Sequence, residues 1–371
     1  MKSTSTSTAR AGYPAEWLSR DEKKRIIARS LPRALALYVT HLAFYFATLY
    51  AILQPWPWWV SLPFCLLNGL AIGLLFVLGH EAAHRTLVPG KRLNDWLARI
   101  AFIFPAHSRA VWVVAHNSNH HRFTNLLHKD GVWEPMTLQA YQNASRWRRA
   151  YERFERSPLG GLTFYYWGIL FTRAGLPLRM NTPNKWRRFG PDIAFMVLGV
   201  VTLITLIAGL GNYLDPSRPL VQAIFLGWML PFILGLWFIS VSIYLNHTHP
   251  DIIWFDKAED WSYYGAQIKG STDVIMPWVL RKAFPLYQDV MAHTAHHGFV
   301  NVPIYNLPEA QAAIVRRYGR DVVRYNFSLH RYLDIVRRCK LIDTERKCWV
   351  DFNGVPTSEP QQQHYLLDPE N

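Results

Sequence analysis

Four long apolar stretches divide the chain, and strongly basic stretches separate them. The apolar stretches cover about residues 34–53, 60–79, 193–214 and 219–246, and the last of them contains 28 residues without a charged side chain. A helix needs about 20 mostly apolar residues to cross the hydrocarbon core of a bilayer. The pattern therefore predicts four membrane-spanning helices. A shorter apolar stretch over residues 158–172 predicts an interfacial or buried helix.

The basic residues predict how these helices are oriented. Residues 1–33 carry eight Lys or Arg and residues 85–192 carry seventeen, whereas the turn between the first two spans carries none and holds Trp56, Trp58 and Trp59. Basic residues near span ends favour the cytoplasmic side, and tryptophans favour the membrane interface. The predicted fold class is therefore an all-α integral membrane protein. Its four transmembrane helices form two hairpins below a cytosolic helical cap.

The same pattern predicts three parts of the chain. Residues 1–33 form a basic cytosolic N-terminal segment, residues 34–350 form one domain, and residues 351–371 form a polar, flexible tail rich in proline and glutamine. The N-terminus has no apolar core, so we expect no cleaved signal peptide.

Composition narrows the possible functions. The net charge of +14 beside long apolar stretches indicates binding to an anionic membrane surface, or to an acidic substrate, rather than to nucleic acid. The three cysteines, Cys65, Cys339 and Cys348, form no CxxC pair. This spacing argues against a disulfide framework, a zinc ribbon or a built-in iron–sulfur centre.

Most of the 15 histidines lie in clusters near the ends of the predicted spans or in the C-terminal third. The clusters are His80/His84, His116/His120/His121, His247/His249 and His293/His296/His297. Residues four apart share one face of a helix, so each i, i+4 pair can reach one metal ion, and His121 can turn toward a neighbouring ion. Isolated histidines are interpreted instead as caps or interfacial side chains, namely His41, His107, His128, His330 and His364.

The number of clustered histidines indicates two metal ions. Imidazole is a ligand for zinc, copper, iron and nickel, and a structural zinc takes four ligands, usually with cysteine among them. Eight or nine histidines exceed the needs of one such ion but fit two. Two redox metals with open positions indicate activation of dioxygen. Their place beside the spans indicates an apolar chain that enters from the lipid.

These motifs resemble those of the membrane fatty acid desaturase superfamily. Residues 244–250 (YLNHTHP) with Trp261, and residues 302–308 after the last cluster, are similar to acyl-lipid Δ12-type desaturases. The second cluster, with Arg122, Asn125, Asp130 and Trp133 after it, is similar to bacterial members. The resemblance covers about residues 35–315 and implies a four-span fold with a cytosolic cap.

The resemblance also implies two iron ions (Fe2+) with O2 as co-substrate, and it implies the ligands. They are His80, His84, His116, His120, His121, His247, His293, His296 and His297. His247 is preferred because it matches the ligand position in the related segment, but His249 stays an alternative. Ile243 stands where some members have an Asn that acts through water, so that role is absent or moves to Asn246.

Further residues are candidates for supporting roles. Neutral imidazoles need hydrogen-bond acceptors to orient them, and the candidates are Glu81, Asp130, Glu134 and Asp289. A basic surface that includes Arg122, Arg146, Arg148 and Arg149 is a candidate for binding a phosphate, a lipid headgroup or an acidic carrier protein.

The predicted function is O2-dependent desaturation of an acyl chain. A hydroxylase, an acetylenase or another lipid or hydrocarbon oxygenase on the same scaffold is the alternative, and a non-enzymatic membrane metal-binding protein is a third. The chain has no haem motif, no dinucleotide-binding fingerprint and no cysteine cluster. We therefore expect an external electron donor, which would be a ferredoxin, a rubredoxin or a cytochrome b5.

Overall fold

A computed structural model describes residues 18–160, 169–170, 173–178 and 180–361 of the chain. Most of the predicted interfacial helix over residues 158–172, as well as His364, lies outside the described residues.

The described residues are mostly helical. The helices are α1 (Arg20–Ile26), α2 (Leu31–Leu53), α3 (Trp58–Ala83), α4 (Lys91–Ala101), α5 (Arg109–Val113), α6 (Leu138–Gln142), α7 (Arg146–Glu155), α8 (Lys185–Leu214), α9 (Leu220–Ile224), α10 (Leu230–His247), α11 (Tyr263–Gln267), α12 (Trp278–Ala283), α13 (Pro285–Val290), α14 (His293–Gly298), α15 (Leu307–Tyr318) and α16 (Leu329–Arg338). The π-helical turn Val114–His120 continues α5, and the π-helical turn Phe225–Met229 joins α9 to α10. A 3-10 turn covers Ile304–Asn306.

Among the described residues, four helical stretches are long and apolar enough to cross a membrane: Arg20–Leu53, Trp58–Ala83, Lys185–Leu214 and Leu220–His247. They overlap the four predicted spans, and the first and third begin well before the apolar residues. The third begins eight residues before the predicted start at residue 193, because Lys185 and its neighbours prolong the helix with polar turns. The second includes His80 in its last turn.

Helix α3 lies at the centre of the apolar helices and packs against α2, α4 and α10. Glycines bring α3 and α10 close together, since a Cβ at Gly69 would lie 2.6 Å from Cβ of Leu234, and one at Gly235 would lie 2.6 Å from Cγ2 of Ile72. Small residues at such crossings let helix backbones approach closely. Helix α8, in contrast, exposes apolar side chains such as Leu198 and Leu206, as expected of a helix that faces lipid.

In the described part of the chain, four short strands lie among the C-terminal helices, and the prediction of an all-helical protein missed them. Strands β1 (Thr272–Ile275) and β2 (Val323–Asn326) are parallel, with Thr272 opposite Val323. Strands β3 (Leu341–Asp343) and β4 (Cys348–Val350) are antiparallel, with Ile342 opposite Trp349. Strands of three or four residues carry too few positions for an alternating pattern to be recognised in a sequence.

The predicted flexible tail is hydrogen-bonded to the body as far as residue 361. The amide of Thr357 donates to the carbonyl of Trp349, and the amide of Gln361 donates to the carbonyl of Lys347, both at 2.8 Å. Residues 362–371 lie outside the described part of the chain. At the other end, α1 pairs with α15 through Arg25 and Glu309.

Candidate metal centre

The nine histidines predicted as ligands come together in two groups. One group is His80, His84, His116, His121 and His296, and the other is His120, His247, His293 and His297. Within each group, the nitrogens able to bind a metal all lie within 4.8 Å of one another. His249 is in neither group. It stacks on Tyr325 and lies 3.4 Å from the carboxylate of Asp251.

The second cluster is arranged differently from the prediction. His116 was expected to share an ion with His120, but it shares a group with His121, and its Nε2 lies 3.0 Å from Nε2 of His121. The cause is the π-helical turn Val114–His120, in which the amide of His121 donates to the carbonyl of His116. A wider turn brings residues five apart onto one face, so His120 turns to the other group.

The third cluster also serves both groups. Helix α14 is short and buried, and its i, i+4 pair His293 and His297 joins His247 in one group, while His296 faces the other. The first cluster follows the prediction, since His80 lies in the last turn of α3 and His84 directly after that helix.

The geometry of both groups fits metal ions. Two nitrogens at right angles on one ion, each about 2.1 Å from it, are about 3.0 Å apart. Nε2 of His80 lies 2.9 Å from Nε2 of His116, and Nε2 of His247 lies 3.0 Å from Nε2 of His293. Among the described residues, Nε2 of His84 is buried without a hydrogen-bond partner. A buried nitrogen lone pair is costly unless a partner such as a metal ion takes it.

The imidazoles are held in the neutral form that binds metal. Burial lowers the pKa of His84 to about 3, and burial followed by the neighbouring imidazoles lowers the pKa of His116, His121, His293 and His296 well below the ordinary value. A neutral imidazole keeps a lone pair for a metal ion.

Asp130 orients one of these imidazoles, as the sequence suggested. Its Oδ1 lies 2.7 Å from Nδ1 of His120, and both side chains are buried. Burial alone would raise the pKa of Asp130, but His120 and the amide of Val132 hold it below its ordinary value. The carboxylate therefore stays charged and leaves Nε2 of His120 free to face the group.

Glu81 supports the other group. Its Oε1 lies 3.1 Å from Nδ1 of His80 and 3.6 Å from Nδ1 of His296, and its Oε2 accepts from the hydroxyl of Thr86. The other two predicted acceptors are placed elsewhere. Glu134 accepts from the amide of His128. Burial raises the pKa of Asp289 to about 6 against the opposing effect of Arg33, and among the described residues its carboxylate makes no hydrogen bond or ion pair with the nine imidazoles.

Gln267 is an orienting residue that the sequence did not reveal. Its Oε1 accepts from Nδ1 of His297 at 2.8 Å and from the hydroxyl of Thr124 at 3.2 Å. Its Nε2 donates to the carbonyl of His121 at 2.9 Å. The side-chain amide of Gln267 thus contacts both groups: the imidazole of His297 in one, and the backbone of His121 in the other. A lone Gln at the end of a five-residue helix carries no motif that would have identified it.

An apolar cavity opens onto both groups. Five of the nine histidines line it, namely His80, His116, His120, His247 and His293. The other lining residues are mostly apolar and come from α3 and α10, among them Leu70, Val77 and Ile239. Ile243 and Asn246 also line it, and the amide oxygen of Asn246 is buried without a partner among the described residues. The cavity can hold an apolar chain beside the histidines.

The sequence is similar to those of proteins with known activity. A family model described as fatty acid desaturase matches residues 56–328. The sn-1 oleoyl-lipid 12-desaturase of Picosynechococcus sp. is 29% identical over 301 residues, which cover 80% of this chain and 81% of the relative. The sn-1 acyl-lipid omega-3 desaturase (ferredoxin) of Nostoc sp. is 27% identical over 74% of this chain and 75% of its own. The chloroplastic omega-6 fatty acid desaturase of Brassica napus is 24% identical over 84% of this chain and 66% of its own.

Proposed function

The chain belongs to the fatty acid desaturase family, and from this premise we propose that its nine clustered histidines hold two iron ions at which a membrane acyl chain is desaturated. One observation supports this proposal most directly: both histidine groups border the same apolar cavity. Fatty acid desaturation is the function that the family and the relatives support.

Each ion has its own ligands in this proposal. His80, His84, His116, His121 and His296 hold one, and His120, His247, His293 and His297 hold the other. When bound, two irons would supply the redox site at which O2 is reduced to water, with two electrons from an external donor and two, with two hydrogens, from adjacent carbons of the acyl chain. The chain's own residues orient the imidazoles through Asp130, Glu81 and Gln267.

The cavity selects and positions the substrate. Its apolar lining between α3 and α10 excludes water and holds an extended hydrocarbon chain against the histidines. Because the relatives act on acyl chains of lipids, by their names, we propose a lipid-linked acyl chain as the substrate.

An external donor supplies the electrons in this proposal. The name of one relative includes ferredoxin. A ferredoxin, a rubredoxin or a cytochrome b5 could each deliver electrons to the metal centre. Arg122, Arg146, Arg148 and Arg149 are exposed and could contact an acidic donor of this kind.

The proposed topology follows from where the histidines lie. His80 is in the last turn of α3, and His247 is the last residue of α10. We propose that the spans form two hairpins whose histidine ends face the cytoplasm beneath a cap formed by the remaining helices, within a domain of residues 34–350. Reporter fusions test this: an active periplasmic reporter at residue 216, and not after residue 361, is the expected result, and the reverse pattern would refute the topology.

The function is tested by the lipids of a heterologous host. Expression together with a ferredoxin should give new double bonds in membrane acyl chains, detected by mass spectrometry. A His296→Ala variant, which removes one ligand, should give none, and the purified wild-type protein should contain about two irons per chain. Hydroxylated or acetylenic products would show that the protein is a hydroxylase or an acetylenase instead. A purified protein without iron would refute the proposed metal centre.

A further inference from the structure

A second cleft lies beside the histidine centre, separate from the acyl cavity. It is lined by Arg85, Arg109 and Arg188, by Asn117, and by an apolar floor of Ala110, Val113, Val114 and Phe189. We call it the arginine cleft. It also touches His84, but none of these arginines is among the basic residues that the sequence suggested for anion binding.

One helical segment separates the cleft from the cavity. Val113, Val114 and Asn117 line the cleft, whereas Trp112 and Ala115 of the same segment line the acyl cavity. The two spaces therefore lie on opposite faces of α5 and its π-helical continuation. An occupant of the cleft is distinct from an acyl chain beside the histidines.

The cleft carries excess positive charge. Arg85 and Arg109 share one carboxylate, that of Asp95, which Arg85 contacts with two nitrogens at 2.9 and 3.0 Å. Arg188 is exposed and lies against the ring of Phe189, and among the described residues it has no ion pair. The lining thus holds three guanidinium groups, of which two share Asp95, while the nearby Asp192 is paired with Arg99. A bound anion would compensate the remaining positive charge.

Two buried polar atoms point to the chemistry of that anion. Within the described part of the chain, Nε of Arg109 and Oδ1 of Asn117 are buried without hydrogen-bond partners. The amide nitrogen of Asn117 donates to the carbonyl of Ala83, so its oxygen is left to accept. Arg109 and Asn117, which both line the cleft, therefore each keep an unused polar atom, a donor suited to a phosphate oxygen and an acceptor suited to a hydroxyl group.

The position of the cleft indicates a lipid. His84 and Arg85 directly follow α3, and Arg188 lies in the first turn of α8, so the cleft lies at the ends of two of the apolar helices. Headgroups lie at this depth, and their phosphates attract arginine. The apolar floor suits the glycerol backbone and first methylenes of a lipid better than a freely soluble anion.

We propose that the arginine cleft binds an anionic phospholipid through a phosphoglycerol headgroup, with the phosphate on the arginines and a headgroup hydroxyl on Asn117. Lipid binding in the cleft depends on the proposed membrane topology but not on the chemistry of the histidines. If the desaturase assay gave no product, lipid binding in the cleft would remain possible. If no lipid bound to the cleft, the proposed desaturation would be unaffected.

Native mass spectrometry of the full chain in detergent tests the proposal with phosphatidylglycerol, phosphatidylcholine and inorganic phosphate as probes. We expect phosphatidylglycerol to bind more tightly than the other two. Arg188→Gln should weaken its binding about tenfold, which is the loss of one charge-assisted contact. Arg188→Lys, which keeps the charge, should weaken it less.

Arg187→Gln is the matched control, because Arg187 is exposed on the same turn and does not line the cleft. Equal losses for Arg187→Gln and Arg188→Gln would show that surface charge alone attracts the lipid, and the proposal would fail. Equal binding of phosphatidylcholine would also overturn it, and equally tight binding of inorganic phosphate would show a site for soluble anions. If Arg188→Gln weakens ferredoxin binding and leaves lipid binding unchanged, the cleft is a protein-binding surface instead.

Discussion

At the scale of single residues, the orientation of the imidazoles depends on a few buried acceptors. Asp130 and Glu81 were predictable, because each is an acid close in sequence to a histidine cluster, and both contact imidazoles. Glu134 and Asp289 satisfied the same criterion and lie elsewhere. Sequence proximity therefore identified candidates but did not distinguish between them, since the direction of a side chain depends on its local backbone.

Replacing Gln267 tests whether such acceptors support metal binding. Gln267→Leu removes the acceptor for Nδ1 of His297 and the donor to the carbonyl of His121. We expect a 10- to 100-fold weaker iron affinity, as is typical when an orienting partner of a ligand is lost. Iron per chain, measured after dialysis against a graded chelator, reports the change without reference to activity.

Two variants serve as controls for this experiment. Gln139→Leu makes the same substitution at an exposed position and should leave iron binding unchanged. Gln267→Glu keeps an acceptor for His297 and should retain more iron than Gln267→Leu. Equal iron retention by Gln267→Leu and the wild type would show that the amide only fills space.

At the scale of elements, the π-helical turn decides which histidines share an ion. The sequence HNSNHH contains both an i, i+4 and an i, i+5 pair, and an α-helix would favour the former. The structure pairs His116 with His121 through the π-helical turn. Such turns are often found at functional sites, but nothing in six residues of sequence distinguishes them from an α-helix.

The crossing of α3 and α10 positions His80 and His247, and glycine makes it possible. Gly235→Leu should force the helices apart, because a Cβ there would lie 2.6 Å from Ile72. Overpacking typically costs about 1–3 kcal/mol, so we expect a lower melting temperature in detergent and a loss of iron.

Gly209→Leu is the control for this crossing. Gly209 lies in α8, where a Cβ would meet nothing within 4 Å. The same substitution there should change neither melting temperature nor iron content. If both leucine variants behave alike, the effect comes from glycine's backbone and not from the contact between helices.

At the scale of the whole molecule, the buried histidines make the metal-free protein sensitive to acid. Burial lowers the pKa of His84 to about 3 and the pKa of His116, His121, His293, His296 and His297 well below the ordinary value. Between these values and about 6.5, the unfolded chain binds more protons than the folded one. The free energy of unfolding should therefore fall as pH decreases below about 6.5.

Thermal melting of chelator-treated protein between pH 8 and pH 5 measures this effect. Each such histidine contributes a slope of up to about 1.4 kcal/mol per pH unit, so the melting temperature should drop steeply toward pH 5. Asp130 adds nothing in this window, because its lowered pKa removes stability only at more acidic pH. The pKa of Asp289, raised to about 6, gives a slope of the opposite sign, which offsets at most one of the six histidines. With metal bound, the melting temperature should fall only at a lower pH, where protons displace the metal from its ligands. A melting temperature that is constant from pH 8 to pH 5 would contradict the prediction.

The sequence by itself determined the four apolar helices, the nine clustered histidines and the family. The length of an apolar stretch and the spacing of histidines are local properties, so they are visible without a structure. Only the tertiary structure decided how the histidines divide between two groups, that Gln267 supports His297, and that Arg85, Arg109 and Arg188 form one cleft. These arrangements join residues far apart in the sequence, as in the contact between His120 and His297, which lie 177 positions apart. Such contacts depend on how helices pack together, and packing is a property of the assembled molecule rather than of any one segment.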